Sequence, residues 1–448
     1  MQRQNLIQAL ISAPLVWSLD RLVQAATEPA SRHRIVVVGM VDRQRVLIGL
    51  ILLLVGLAAH AQAIEPDAGV EGFAACRSGL ADEARIRGIP ERIISEALLP
   101  VRYQPRVIEL DREQPEFRQS FSAYLRVRVS EARITTGRLM LASYPELWSR
   151  LLAEYGVPGR YLVAFWGLET NYGGYLGNMP TLDVLATLAC DERRSSFFTE
   201  QLMTALGLVD REQLEPATLR GSWAGAMGHT QFMPSTWRDH AVDGDGDGRV
   251  DLWTSIPDAM TSAANYLSNL GWQSGERWGR EVRLPENFPY EQTGLDQRRP
   301  LSHWRELGVR TAAGAPIPSA DLEGAILVPM GHRGPAFLVY SNFDAILDWN
   351  RSQSYAIAVG HLADRLIGGG GLVGGLPEVE RSPARATIRS LQERLIELGH
   401  DPGEPDGLMG PATRAALRAW QAAAGRIADG YPDPDTLRVL AVTFSAGQ

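Results

Sequence analysis

Between about residues 70 and 366, apolar residues recur at spacings of three and four, the period of helices that turn one face to a core. Residues 90–99, 116–129, 144–155 and 258–270 carry this pattern most plainly, and each predicts a helix. The pattern changes in "GAILVPM" and "AFLVYSN", within residues 324–342, where extended-chain residues predict a small β element between helices. A Gly- and Pro-rich stretch, "GGGGLVGGLPEVERSPAR", then marks a linker and a domain boundary over residues 367–386. Beyond it, Leu391, Leu395 and Leu398 mark one short helix, and Thr413, Ala416, Leu417 and Trp420 mark a second. The expected fold is therefore mainly α (α+β): a helical body over 70–366 with a small β element, and a small helical module over 387–442. A unit of that size has a small core, and such modules more often bind than catalyse.

One helical stretch departs from ordinary patterning. In "YLVAFWGLETNYGG", residues 161–174, Leu162, Phe165, Trp166 and Glu169 stand at i, i+3, i+4 and i+7, so the period puts a carboxylate on an apolar face. A carboxylate withdrawn from water holds its proton more tightly, which prepares a general acid. A glutamate at a helix end, reaching solvent near Gly173 and Gly174, would give the same spacing.

Composition narrows the classes. The chain has 448 residues, 45% hydrophobic and 21% charged, which suits globular domains with substantial cores. Net charge is −8 and lysine is absent, so every strong cation is a scattered Arg, and no nucleic-acid partner is expected. At the start, "MVDRQRVLIGLILLLVGLAAHAQA" has Arg43 and Arg45, an apolar run, and Ala61-Gln62-Ala63, the layout of a secretory signal peptide over residues 40–63. An uncleaved anchor shares that layout. Met40 is the expected true start, with residues 1–39 a start-site artefact. No cysteine follows the run at a lipoprotein position, so the expected compartment is the periplasm without a lipid anchor. Cys76 and Cys190 would lie where disulfides persist, either bridged or as buried free thiols.

Two further segments carry candidate chemistry. "GSWAGAMGHTQFMPSTW", residues 221–237, has Gly221, Gly225 and Gly228 among Ser222, Thr230 and Gln231. Such glycines let the backbone approach a neighbouring helix or a ligand closely, and the polar residues could meet sugar hydroxyls or amides. Next, "DGDGDGRVDLWTSIPD" places Asp243, Asp245, Asp247 and Asp251 at positions 1, 3, 5 and 9 of a calcium loop, with the Arg249 carbonyl at position 7. Position 12 is Thr254, so the closing ligand must come from elsewhere, and Asp258 is the nearest carboxylate. Oxygen donors at this spacing favour a structural Ca2+, the alternative being an Asp- and Gly-rich solvated turn of the same spacing, and no organic cofactor is expected.

With "AANYLSNLGW" and "WNRSQSYAIAVGHLADRL", these segments resemble, in order, the motifs of the lytic murein transglycosylase B family. The resemblance implies a lysozyme-like helical domain that cleaves the β-1,4 bond between N-acetylmuramic acid and N-acetylglucosamine in peptidoglycan, leaving 1,6-anhydromuramic ends. It implies Glu169 as the catalytic acid and base, Ser222 and Gln231 near it, Tyr124 and Tyr266 beside the scissile sugars, and Asn350 and Tyr355 on the far wall. Trp349 stands where the family often has Tyr; any hydroxyl contact there is put in doubt, while a flat face for stacking on sugar remains. The C-terminal "DG" and "GPATRAALRAWQ" resemble the small peptidoglycan-binding domain of type one, and a module on a long linker would raise the local concentration of polymer at the cleft. The implied partners are glycan strands and cell-wall synthesis or remodelling complexes, with the enzyme a monomer. A muramidase using water and a non-catalytic wall-binding protein are the competing expectations.

Overall fold

A computed structural model of the chain describes residues 68–113, 119–377, 383–443 and 445. The expected leader and the expected start at Met40 lie outside the described residues. The first long helices are α1 (Ala68–Ile86), α2 (Pro105–Glu113), α3 (Phe121–Arg128), α4 (Glu131–Ser143), α5 (Pro145–Tyr155) and α6 (Gly159–Thr170), with the helix expected over 90–99 present as a short α-turn, Glu91–Ile93, continued by a π-helical turn, Ile94–Leu98. A two-stranded ribbon of β1 (Met179–Pro180) and β2 (Arg220–Gly221) frames α7 (Thr181–Ala189) and α8 (Ser195–Arg211), and α9 (Pro234–His240) and α10 (Ile256–Asn269) follow.

Local chemistry sets where these helices begin and end. Ser120, Ser130, Ser255 and Ser352 each accept a backbone N–H three residues on, at the starts of α3, α4, α10 and the later α13 (Gln353–Leu366). Gly156 and Asn171 stop α5 and α6 in the left-handed conformation. Helix α6 differs from its expected form. Every residue from Tyr161 to Thr170 is buried, so it is a central helix enclosed on all sides rather than one with a single apolar stripe. It packs against α4, α5, α10 and α13, in a core that includes Phe165, Trp166, Phe232 and Trp349. A second core unites α1, α2, α7 and α8, and Cys76 of α1 is disulfide-bonded there to Cys190 at the end of α7.

The β element is larger than its sequence signal. Strands β3 (Gly279–Arg283), β4 (Arg299–Pro300), β5 (Arg310–Thr311), β6 (Glu323–Leu327) and β7 (Ala336–Val339) form one sheet in the order β4-β6-β7-β3-β5. Its β6–β7 and β7–β3 pairs are antiparallel, with Ala325 and Gly279 both opposite Val339. The short α11 (Leu301–Glu306) packs Trp304 into this layer, and α12 (Ser341–Trp349) and α13 return the chain to the main core.

The C-terminal module contains α14 (Arg385–Glu397), α15 (Pro411–Ala423) and α16 (Pro434–Val439) around Ile388, Leu391, Leu395, Leu417 and Leu437. Leu398, expected on the core face, is 41% exposed, because α14 ends one residue before it. The free tether expected ahead of the module also takes another form. Val373 and Gly374 donate their N–H groups to Glu281, each at 2.8 Å, and Arg126 donates to the carbonyls of Leu376 and Pro377. The module then docks on the body: the backbone N–H of His332 lies 3.0 Å and its Nδ1 2.7 Å from the buried Asp429 Oδ2, and Arg418 reaches Asp296 at 3.4 Å. Along this seam opens a cavity of about 440 Å3, lined among others by Asp296, Leu327, Gln353, Arg414 and Arg418.

Candidate active site

Helix α6 carries Glu169 one residue before its end, at 2% exposure. The alternative of a solvent-reaching side chain is therefore excluded. Glu169 Oε1 accepts the indole N–H of Trp349 at 3.0 Å and the hydroxyl of Tyr355 at 2.5 Å. The turn between α12 and α13 brings both donors in, and Asn350 holds that turn by accepting the Ser352 N–H at 3.1 Å. Burial favours the neutral acid, whereas the Tyr355 and Trp349 hydrogen bonds and the Arg128 charge favour the carboxylate. Burial prevails, and the Glu169 carboxyl is pushed up to about 7.

Arg128, at the end of α3 and 5% exposed, is a member of the site that the sequence did not reveal. Its guanidinium lies 5.3 Å from the centroid of the Tyr124 ring. Burial raises the Tyr124 hydroxyl to about 12, so it stays a neutral donor near neutral pH. Tyr266 is likewise raised to about 12 by burial, and its ring stands 5.2 Å from Trp349 and 5.5 Å from Phe232. The expectation of an open stacking face at Trp349 is corrected. The ring is 1% exposed among Phe165, Phe232 and Tyr266, and its N–H is what faces the chemistry.

The Gly-rich segment forms a tight loop after β2. Ser222 Oγ accepts the Ala226 N–H at 3.0 Å, so this hydroxyl shapes the turn and keeps its proton for donation. Gln231 is left-handed (φ 51°) and donates its amide N–H groups to Gly228 and Leu176 carbonyls at 2.8 and 3.1 Å. Its Oε1 is buried without a partner among the described residues, an acceptor that a ligand N–H or O–H would satisfy. Gly228 serves a close approach: a Cβ there would lie 2.5 Å from the Leu252 carbonyl oxygen.

That approach seats the Asp-rich loop. Asp243, Asp245 and Asp258 each place a ligand oxygen within 4.8 Å of the others. Asp258, buried at the start of α10, also accepts the N–H groups of Gly244 and Asp251 at 2.8 and 2.7 Å. Asp247 and Asp251 stand outside this group. Asp247 accepts the Arg249 N–H, and Asp251 accepts those of Trp253 and Thr254. Against its partial burial, the Thr254 hydroxyl first and then those backbone hydrogen bonds hold Asp251 below the usual carboxylate range. Three converging carboxylates are a donor set suited to a hard divalent cation.

Comparison with known proteins accords with this geometry. Residues 72–364 match the family described as transglycosylase SLT domain, and residues 384–440 match a peptidoglycan binding domain. Membrane-bound lytic murein transglycosylase B of Escherichia coli K12 is 32% identical over 256 residues, which are 54% of this chain and 66% of that protein's length. SltB3 of Pseudomonas aeruginosa, solved in complex with NAG-NAM-pentapeptide, is 43% identical, with a TM-score of 0.79 over 82% of this chain and 99% of its own. The Escherichia coli lytic transglycosylase Slt35, solved in complex with calcium, is 27% identical, with a TM-score of 0.56 over 68% of this chain and 94% of its own.

Proposed function

Because the chain belongs to the transglycosylase SLT domain family, we propose that it is a peptidoglycan lytic transglycosylase in which one residue, Glu169, acts first as acid and then as base. The carrying observation is the setting of Glu169: a buried carboxyl raised to about 7 and touched by an indole N–H and a phenol. Glycosidases that use water or a protein nucleophile place two carboxyl groups about the scissile bond. Transfer to the sugar's own hydroxyl uses one. Glu169 donates its proton to the glycosidic oxygen between N-acetylmuramic acid and N-acetylglucosamine as the bond to C1 breaks. The C6 hydroxyl of the muramic residue then bonds to C1, and the Glu169 carboxylate takes the proton it releases. Because the nucleophile belongs to the substrate, it is already oriented.

Trp349 and Tyr355 hold the carboxylate through the half-reaction in which it is charged, and Arg128 supplies a positive charge at the same stage. Gln231 offers its open Oε1 to a substrate donor, and we assign Ser222, Tyr124, Tyr266 and Asn350 to the walls of the same cleft. Asp243, Asp245 and Asp258 would hold a structural Ca2+ that stiffens the loop behind Gly228. We assign 70–366 to catalysis, 367–386 to the linker and 387–442 to wall binding, in a periplasmic enzyme exported by its leader. Among the described residues no helix is long and apolar enough to cross a membrane.

Digestion of purified sacculi by the mature protein and by Glu169→Gln tests the reading. The expected products are muropeptides one water lighter than reducing ones, absent with the variant. Reducing ends would make the enzyme a muramidase, and activity retained in Glu169→Gln would remove the central assignment.

A further inference from the structure

We propose that His229 is a positioning residue that couples the Asp-rich loop to the helix bearing the general acid, an inference that rests on the roles given above to Glu169 and to that loop.

The argument is a continuous run of hydrogen bonds. On the loop side, Asp258 Oδ2 accepts the Asp251 N–H at 2.7 Å, and the carbonyl of the following residue, Leu252, accepts the His229 N–H at 2.8 Å. On the helix side, the Trp166 indole N–H donates to His229 Nδ1 at 3.0 Å, and the Thr170 hydroxyl donates to the His229 carbonyl at 3.0 Å. Trp166 and Thr170 flank Glu169 in the last turn of α6. Because Nδ1 is the acceptor, the ring proton is on Nε2, and the ring also hydrogen-bonds the Trp253 backbone.

His229 is therefore gripped from both sides at once. It is 7% exposed, its ring meets Trp166 edge to face at 5.5 Å, and a Cβ on Gly173 would lie 2.3 Å from its Cε1. A buried residue holding four polar contacts on two elements has little freedom to move with one and not the other. Ordering residues 243–258 around a cation would fix Leu252 and Trp253, hence the imidazole, hence the last turn of α6. Sequence gave no hint of this. His229 lies in "GAMGHTQF" like any loop residue, and only the fold places its two nitrogens between a loop backbone and an indole.

Hydrogen exchange on the full chain tests the proposal, with calcium alone as the probe. In the wild type, calcium is expected to slow exchange of the amides in residues 165–174 roughly fivefold or more relative to chelator-treated protein. In His229→Phe, which keeps a ring but no acceptor, calcium still binds by calorimetry within about tenfold of wild-type affinity, and the response at 165–174 disappears. His229→Asn restores the response, because its amide oxygen can take the Trp166 N–H. Trp166→Phe removes the same bond from the other partner and must abolish the response too, which keeps the test decisive if His229→Phe fails to fold. A response retained in either variant, no calcium effect in the wild type, no rescue by Asn, or calcium binding lost with the ring would each overturn the proposal. The same measurement on Glu169→Gln protein needs no turnover, so its failure leaves the catalytic assignment to be decided by the sacculus digestion.

Discussion

Glu169 is held between opposed influences, of which burial is the largest. Its two donors stabilise the carboxylate, and each charge-assisted bond is worth about 1.5–3 kcal/mol. Removing either donor therefore makes the group a weaker acid. Trp349→Phe and Tyr355→Phe are each expected to move the basic limb of the kcat/KM profile on sacculi upward from near 7, by roughly one unit. A downward shift would show that the donors serve the neutral acid. The same group makes stability depend on pH. Its folded pKa of about 7 lies above the ordinary 4.5, so its stabilising contribution is full below about 4.5 and is lost as pH rises through 7. The loss is about 3 kcal/mol, to be read as the difference between wild type and Glu169→Gln in urea unfolding at pH 4.5 and 8.5. Glu169 was legible because its charge broke an apolar period. Arg128 was not, since an Arg ending an ordinary helix bears no mark until folding sets that end beside Tyr124.

Elements were legible where periodicity is long, and less so where neighbours decide. Residues 144–155 and 258–270 became α5 and α10 within two residues at each end, with Pro145 and Ser255 at their starts. Strands β4 and β5 were missed because two residues are too few for a pattern to register, and β3 because its GREVR sequence holds a single apolar residue, whereas β6 and β7 are apolar runs. The calcium loop divides in the same way. Its register put Asp243, Asp245, Asp247 and Asp251 in one set with Asp258 as the nearest closing carboxylate, and the folded loop brings Asp258 of α10 together with Asp243 and Asp245 while Asp247 and Asp251 lie outside that group. Asp245→Asn is accordingly expected to weaken calcium binding about tenfold or more by calorimetry, and Asp247→Asn to leave it nearly unchanged. Equal losses would restore the linear register. The disulfide closes a span of 114 residues between α1 and α7, and Cys76→Ser with Cys190→Ser should cost about 2–5 kcal/mol in urea unfolding.

For the molecule as a whole, the sequence distinguished body, linker and module but not their contact. Nothing in the Gly-rich stretch foretells that Glu281 and Arg126 hold it down, because those partners lie far away in sequence. The seam rests on a few polar contacts, of which Asp429 with His332 is the most buried. Changing the body's side of it, His332→Ala with Asp296→Ala, removes the imidazole and carboxylate contacts but keeps the backbone N–H at 332, and leaves the bonds of Asp429 to Gln421 and Tyr431 within the module intact. That double variant is expected to show a larger radius of gyration by small-angle scattering, with sacculus cleavage by the body retained. An unchanged radius would mean that the strapped linker alone keeps the module in place.

The seam also has a mechanical meaning. A cell wall is a network under tension, and a protein gripping it at two places is pulled along the line between them. The helical body resists through continuous apolar packing and a covalent cross-link, while the seam includes polar contacts such as Asp429 with His332 beside a cavity. Load applied between body and module would be expected to part the seam and then the strap at Glu281 and Arg126 before it reached the packing around Glu169.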